Sequence, residues 1–419
     1  QNRHNNALCN GQSKQCQNLT SEIYKLGMTR VTCKIKDVIS EVKSGDWGKG
    51  SPTENYTTEV LCVRGADIPE LCKGNVGKMP QRFIHNKKAT SKILSANNLI
   101  IEISGGSPTQ STGRIALISD KILSRYSKPL ICSNFCKAIT ATGIQPEYLF
   151  NYWLYLYNKD AMFPYENGTT GIKNLDFNSF IQEQDISIPD IKTQQKIVSI
   201  LSSIDEKIET NKRINDNLEE QAKALFKSWF VDFDRNEWVH CELGDITLIT
   251  AGGDRPSKYT NKKTIECHVP IYSNGIDNEG LYGYTNVAKI HEESITISAR
   301  GTIGYVCLRL EPYVPIVRLI SIIPNKKELS AKYLYLWALT QNITGTGTTQ
   351  QQLTVPIFRK TPISIPSDTK LKQFNSIADP LFSQIESNKK ENIKLSTLRD
   401  TLLPKLMSGE LSVEEVSFD

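Results

Sequence analysis

Two stretches of the chain carry apolar residues in an unbroken four–three rhythm. In the first, Ile197, Leu201, Ile204, Ile208, Asn211, Asn215, Leu218, Ala222, Leu225 and Trp229 follow one another at spacings of 4,3,4,3. Moved along by 177 residues, the same ladder reads Phe374, Ala378, Leu381, Ile385, Asn388, Asn392, Leu395, Arg399, Leu402 and Leu406, and seven of these ten are apolar. A repeat of seven is the seam of a helix paired with another helix. Each predicted helix, 190–233 and 367–411, begins after a proline, with Asp190 or Thr369 available as an N-terminal cap. At ~1.5 Å per residue each spans about 60 Å, more than one globular core needs. That length predicts a spacer.

The pattern between the helices is different and also repeats. Ile186-Ser187-Ile188-Pro189 returns as Ile363-Ser364-Ile365-Pro366, and Ile208-Glu209-Thr210-Asn211-Lys212 returns as Ile385-Glu386-Ser387-Asn388-Lys389. Tyr148-Leu149 answers Tyr333-Leu334, and Gly168-Thr169-Thr170 answers Gly347-Thr348-Thr349. Ile100 to Ile115 and Ile295 to Val306 both read as strands broken by glycine. A period this long is a duplication and not a solenoid. The expected fold is therefore α+β: two duplicated mixed α/β domains, 28–189 and 234–366, separated by two long antiparallel coiled-coil helices with pseudo-two-fold symmetry. A polar segment of unknown role, 1–27, precedes them and a tail, 412–419, follows. The seam asparagines set a register, because an unpaired buried amide costs ~1–3 kcal/mol. Placing Asn211 opposite Asn392 makes partners sum to 603. Asn215 then meets Asn388, Trp229 meets Phe374, Ile197 meets Leu406, and only Ile204 opposite Arg399 is awkward.

Composition adds less. The chain has 419 residues, mean hydropathy −0.35, and a net charge of +5 from 50 Lys and Arg against 45 Asp and Glu. No apolar run reaches the roughly 18 residues of a membrane span, and the first thirty residues hold neither a hydrophobic signal core nor an initiator Met, which leaves the native start open. Ten cysteines without metal-ligand spacing read as reduced thiols of a cytoplasmic protein. The basic residues are clustered, with Lys78, Arg82, Lys87 and Lys88 in one stretch and Arg255, Lys258, Lys262 and Lys263 in another.

Enzymatic signatures are missing. Gly45 to Ser51 has the wrong spacing for a phosphate loop, no Pro-Pro dipeptide exists for an amino-methyltransferase motif, and the five histidines are dispersed. Asp37, Glu41 and Lys43 are the one nuclease-like set, at a spacing chance supplies readily. The Gly-rich polar loops suit base edges and phosphates instead. Their candidate DNA-binding residues are Lys78, Arg82, Lys87, Lys88, Thr109, Gln110, Arg114, Lys173 and Asn174 in the first domain. In the second they are Arg255, Lys258, Tyr259, Arg300, Thr302, Gln350, Gln351 and Gln352.

With these features together the chain resembles the specificity subunit of a type I restriction–modification system. The match rests on the duplicated domain–helix layout, on Asp205-Glu206-Lys207-Ile208-Glu209, and on Ala224-Leu225-Phe226-Lys227-Ser228-Trp229-Phe230-Val231-Asp232-Phe233. The Ile-Ser-Ile-Pro stretches and Arg300-Gly301-Thr302-Ile303-Gly304 add to it, with coverage of about residues 28–411. The resemblance implies two target-recognition domains, each reading one half of a split asymmetric DNA site, and helices that set the gap and dock two methyltransferase subunits. It places S-adenosylmethionine in those subunits, ATP and Mg in a translocase–nuclease subunit that can complete the complex, and no cofactor, metal or catalytic residue in this chain. A coiled-coil scaffold that binds other proteins and a stand-alone endonuclease are the rival readings.

Overall fold

The computed structural model describes residues 30–72, 77–105, 110–169, 172–232, 238–325, 329–341, 343 and 353–416. They fall into two units, one of residues up to Glu209 together with those from Ile393 onward, the other Thr210–Asn392. The expected segment 1–27 lies outside the described residues.

In the first unit the strand Arg30–Lys34 pairs antiparallel with Asp185–Pro189, so the Ile-Ser-Ile-Pro stretch is the strand on which the domain closes. A four-stranded antiparallel sheet runs in the order Ile39–Ser44, Cys136–Ala141, Asn98–Glu102, Ile115–Leu117. Asn98–Glu102 is buried along its whole length. Leu99 and Ile101 join the core under the helix Pro146–Asn158, while Ile100 faces Ala116, Ala138 and Leu130 in a second core. A strand covered on both faces reads as an apolar run and not as an alternation. A three-stranded sheet, Gln81–Ile84, Thr58–Val63, Leu130–Cys132, has one antiparallel and one parallel pair.

The second unit repeats this wiring. Val239–Glu242 pairs with Pro362–Ile365. The four-stranded sheet is Thr247–Ala251, Ile320–Pro324, Ser294–Ile297, Val306–Arg309, and the three-stranded sheet is Leu281–Thr285, Val269–Tyr272, Val314–Pro315, again with one parallel pair. Both units thread their strands in the same order. The matched tyrosines also do the same work: Tyr148 Oη donates to the Ser187 carbonyl at 2.8 Å, and Tyr333 Oη to the Ser364 carbonyl at 3.4 Å. The residues that revealed the repeat touch one another in each copy.

The long helices are Ile191–Phe226 and Asp368–Ser408. In the first unit Ile197, Leu201 and Ile204 share a core with Leu402, Leu403, Leu406 and Met407, and Ile208 and Leu395 lie half-buried against it. The awkward Arg399 lies with its Nε 2.6 Å from Asp205 Oδ1, beside the seam. In the second unit Asn211 Nδ2 donates to Asn392 Oδ1 at 2.9 Å and Asn388 Nδ2 to Asn215 Oδ1 at 2.8 Å, while the Trp229 and Phe374 rings are 6.4 Å apart. Helices joined at those pairs run antiparallel with partners that sum to 603.

The buried stripe departs from the heptad beside the domains as well as at the helix ends. Phe226 and Phe230 are buried whereas Leu225 and Trp229 are only half-buried, as are Leu218 and Leu381; Leu371, Phe382, Leu403 and Met407 are buried beyond the expected positions. An α-helix of 3.6 residues per turn drifts ~20° per heptad from a strict 3.5 repeat. The first helix also ends in a π-turn, Lys227–Val231, whose extra residue turns Phe230 inward. There Phe230 meets Phe374 and Tyr333, each at 5.1 Å. The cap expected at Thr369 is corrected as well: the helix starts at Asp368, and Ser367 Oγ accepts from the Lys370 amide at 3.4 Å. Asp190 caps the first helix as expected, accepting from the Lys192 and Thr193 amides at 2.9 and 3.1 Å. Among the described residues, no helix is long and apolar enough to cross a membrane.

Candidate nucleic-acid interface

In the first unit the turn after Ile39–Ser44 folds along the edge strand Gln81–Ile84. Lys49 and Phe83 exchange backbone hydrogen bonds at 2.8 and 2.9 Å. Gly48 permits this approach: its φ is +60°, and a Cβ there would lie 2.6 Å from the Phe83 carbonyl oxygen. The turn thereby brings Trp47, 39% exposed, beneath Arg82. The guanidinium carbon is 4.1 Å from the ring centroid, and Nε donates to the Trp47 carbonyl at 2.9 Å. Beside it Lys49 Nζ sits 4.5 Å from the Tyr56 ring centroid, and the His85 ring meets Tyr56 edge-on at 5.2 Å. Lys87 and Lys88 follow, exposed, in the next turn.

The second unit builds the equivalent place from different residues. The segment after Thr247–Ala251 runs along the edge strand Leu281–Thr285, where Thr260 and Tyr284 exchange hydrogen bonds at 2.9 and 2.8 Å. Arg255 stacks 3.9 Å from the Tyr259 ring centroid and donates from Nη1 to Tyr282 Oη at 3.0 Å. That hydrogen bond raises the Arg255 pKa above its ordinary value. In both units, then, an arginine is pinned on an aromatic ring at the junction of turn and sheet edge, half-buried Arg82 on the edge strand and exposed Arg255 on the turn. A stacked guanidinium keeps donors in its own plane free for carboxylate-like or base-edge acceptors, and it loses less side-chain freedom on binding than a solvated one. Arg82, Arg255 and Tyr259 were legible as members of basic clusters. Trp47, Lys49, Tyr56 and Tyr282 were missed, because only the strand pairing shows which aromatic meets which cation.

Other candidates sit elsewhere or are engaged internally. Arg114 does not face outward: it makes a paired hydrogen bond to the buried Glu102 at 2.8 and 2.6 Å, and this bond raises its pKa. Glu102 in turn fills space beside Gly65 and Gly105, where a Cβ would come within 2.4 and 2.7 Å of its Oε1. The arginine is thus held by a buried carboxylate, unlike the outward-facing side chain expected from the sequence. Lys173 is paired with Glu166 at 3.2 Å and donates to the Gln110 carbonyl at 3.4 Å; Asn174 Oδ1 accepts from Ser104 Oγ at 2.6 Å. Lys258 is ion-paired with Glu266. Lys78 and Gln110 are exposed, as are Arg300 and Thr302 in the turn between Ser294–Ile297 and Val306–Arg309. Thr109, Gln350, Gln351 and Gln352 lie outside the described residues.

In the nuclease-like set Lys43 and Glu41 lie 3.9 Å apart, but Asp37 and Lys43 are each engaged with backbone. Asp37 Oδ2 accepts from the Lys34 amide at 3.0 Å as a local cap, and Lys43 Nζ donates to the Ile93 carbonyl at 3.0 Å. Among the described residues no three His, Cys, Asp or Glu side chains are grouped as metal ligands.

Comparison with known proteins agrees with this architecture. The profile of the type I restriction modification DNA specificity domain matches residues 32–220 and again 235–397, one match per repeat. The chain is 27% identical to the MjaIX type I restriction enzyme specificity subunit of Methanocaldococcus jannaschii, over 91% of this chain and 94% of that one. It is also 27% identical to the HindI specificity subunit of Haemophilus influenzae, over 54% of this chain and 69% of that one. The crystal structure of a type I restriction–modification S subunit from M. genitalium shares the fold, with a TM-score of 0.54 at 17% identity over 90% of this chain and 96% of that one. Two copies of the specificity domain, each carried on its strand-closed domain and long helix, place this chain in the family of type I restriction–modification specificity subunits.

Proposed function

We propose that each unit reads one half of a bipartite, asymmetric double-stranded DNA site, with Arg82 on Trp47 in the first and Arg255 on Tyr259 and Tyr282 in the second as the centre of the reading surface. The long helices set the gap between half-sites and dock two methyltransferase subunits, and a translocase–nuclease subunit can join them. On this reading the chain is non-catalytic and works in the cytoplasm. S-adenosylmethionine belongs to the methyltransferase, ATP and Mg to the translocase–nuclease. The observation that supports the reading is that in both units an arginine is pinned on an aromatic ring where the turn meets the sheet edge, Arg82 coming from the edge strand and Arg255 from the turn. Arginine in that setting can pair bidentately with guanine, and a good contact of this kind contributes ~1–3 kcal/mol of discrimination.

Methylation mapping of DNA from a host expressing this chain with its methyltransferase tests the proposal. Arg82→Ala is expected to relax one half-site and Arg255→Ala the other. Uniform loss across all sequences from either variant would make these arginines phosphate or structural contacts instead. A salt titration that gives no steep log–log slope for DNA binding would favour the protein-binding scaffold.

A further inference from the structure

The duplicated helix segment Ile-Glu-Thr/Ser-Asn-Lys carries an acid and a base one turn apart, Glu209 with Lys212 and Glu386 with Lys389. The two units use opposite members of this pair. In the first unit Lys121 and Arg125, on one short helix and the turn after it, converge on Glu209 at 3.1 and 3.6 Å. In the second unit it is Lys389 that is engaged, at 2.6 Å from Glu279, and its neighbour Lys390 is 2.7 Å from Glu311. We propose that Glu209 and Lys389 are positioning residues that fix the tilt of each recognition domain on the helices. The repeated segment is thus a dock of both charge signs, able to hold a domain that presents either a cationic or an anionic strut.

Three observations support this. First, the acceptor in the second unit is a built feature. Asn278 and Glu279 both take positive φ, 48° and 56°, which non-glycine residues adopt only where the surroundings hold them. Buried Arg309 does the holding: it stacks 3.5 Å from the Tyr272 ring centroid and donates to both the carbonyl and the carboxylate of Glu279, at 2.6 and 3.3 Å. Glu279 Oε1 is thereby aimed at the helix. Second, the first unit's strut lies where the apolar packing runs out. In the first unit the fully buried seam residues are Ile197, Leu201 and Ile204, and Glu209 sits about 18 Å along the helix from Ile197 at ~1.5 Å per residue. A domain packed only at one end can rock, and a contact at that distance resists rocking best: a 3 Å slip there corresponds to about 10° of tilt. Third, the members not used as struts differ in their settings: Glu386 is 3.8 Å from Lys390 on its own helix, and Lys212 is exposed.

The proposal rests on the bipartite reading above, and its test separates the two. Four neutralised variants of the full chain, Glu209→Gln, Lys389→Gln, Lys212→Gln and Glu386→Gln, are each assembled with the methyltransferase. Methylation is then measured on DNA with the native half-sites and gaps of the native length or one base pair longer or shorter. Glu209→Gln and Lys389→Gln are expected to reduce the preference for the native gap about two- to five-fold, the range for partly exposed ion pairs, with half-site sequences unchanged. Lys212→Gln and Glu386→Gln should leave it unaltered. Hydrogen exchange without DNA gives the second readout, with faster exchange at Ser119–Tyr126 in Glu209→Gln and at Asp277–Gly280 in Lys389→Gln. Equal effects from all four variants, or none from Glu209→Gln and Lys389→Gln in both measurements, overturn the strut. Wild-type protein with no gap preference at all would instead refute the bipartite reading, and the exchange measurement would still decide the strut.

Discussion

The asparagine pair Asn215–Asn388 offers a direct measure of what sets the helix register. Asn388 is 5% exposed; its Nδ2 donates to Asn215 Oδ1 at 2.8 Å and its Oδ1 accepts from Gln384 Nε2 at 2.8 Å. Asn388→Ala removes both bonds and leaves the Asn215 oxygen in the seam without its donor. A buried polar group stranded in this way costs ~1–3 kcal/mol, so about 2 kcal/mol is expected. Asn215→Ala strands one donor and also gives up the weak 3.4 Å bond to the Ile385 carbonyl, for about 1–2 kcal/mol. In the double variant nothing is stranded, and its cost should fall short of the sum by ~1 kcal/mol, the coupling of one amide pair. Urea unfolding followed by helical circular dichroism completes the cycle. Additivity to within ~0.3 kcal/mol would show that the two amides do not recognise each other. A seam without amides, with Asn211, Asn215, Asn388 and Asn392 all replaced by Leu, should match or exceed wild-type stability and lose its unique register, since a polar seam residue specifies alignment at a cost in stability.

Other expectations follow from the same geometry. Inserting one heptad after Asn215, with its match near Asn388, lengthens the helices by ~10 Å at ~1.5 Å per residue. At ~3.4 Å per base pair the gap in methylated sites should widen by about three base pairs with both half-sites kept. An unchanged gap with retained activity would mean the helices are not the spacer. Glu102→Ala strands the half-buried Arg114 and should cost ~3–5 kcal/mol by chemical unfolding, whereas Arg82→Ala at its exposed stack should cost under ~1 kcal/mol; equal costs would refute the division into clamp and reader. Burial pushes the Cys62 and Cys132 thiols up to about 12 and raises Cys136 too. All three should therefore stay protonated and resist iodoacetamide at pH 8 while half-buried Cys33 and Cys241 react, as peptide mass spectrometry would show.

The long helices and their register were readable in the sequence because one rule, apolar every three or four residues, governs the whole seam, and because buried amides leave few alternatives. It failed at the ends. Phe226 and Phe230 displace Leu225 and Trp229 from the core because the domain beside the helix, and a π-turn, decide which face is inside. The repeat was readable where matched residues hold each other, as Tyr148 holds the Ser187 strand and Tyr333 the Ser364 strand. The surface proposed to read DNA was legible only by charge. Arg114 and Arg82 look alike in sequence, and what separates them is Glu102, twelve residues before Arg114 and adjacent only through strand pairing.

The two-stranded ribbons on which the domains close have a consequence for how such chains change over time. Arg30 pairs with Pro189, and Val239 with Ile365, so the first and last strands of each domain are neighbouring backbones beside the start of a long helix. Everything between those ribbons is a cassette. A segment of different sequence that ends in the same pair of strands would meet the long helix that follows it in the same way. Such a segment could change as a whole, with the helices beside it unaltered, rather than one residue at a time.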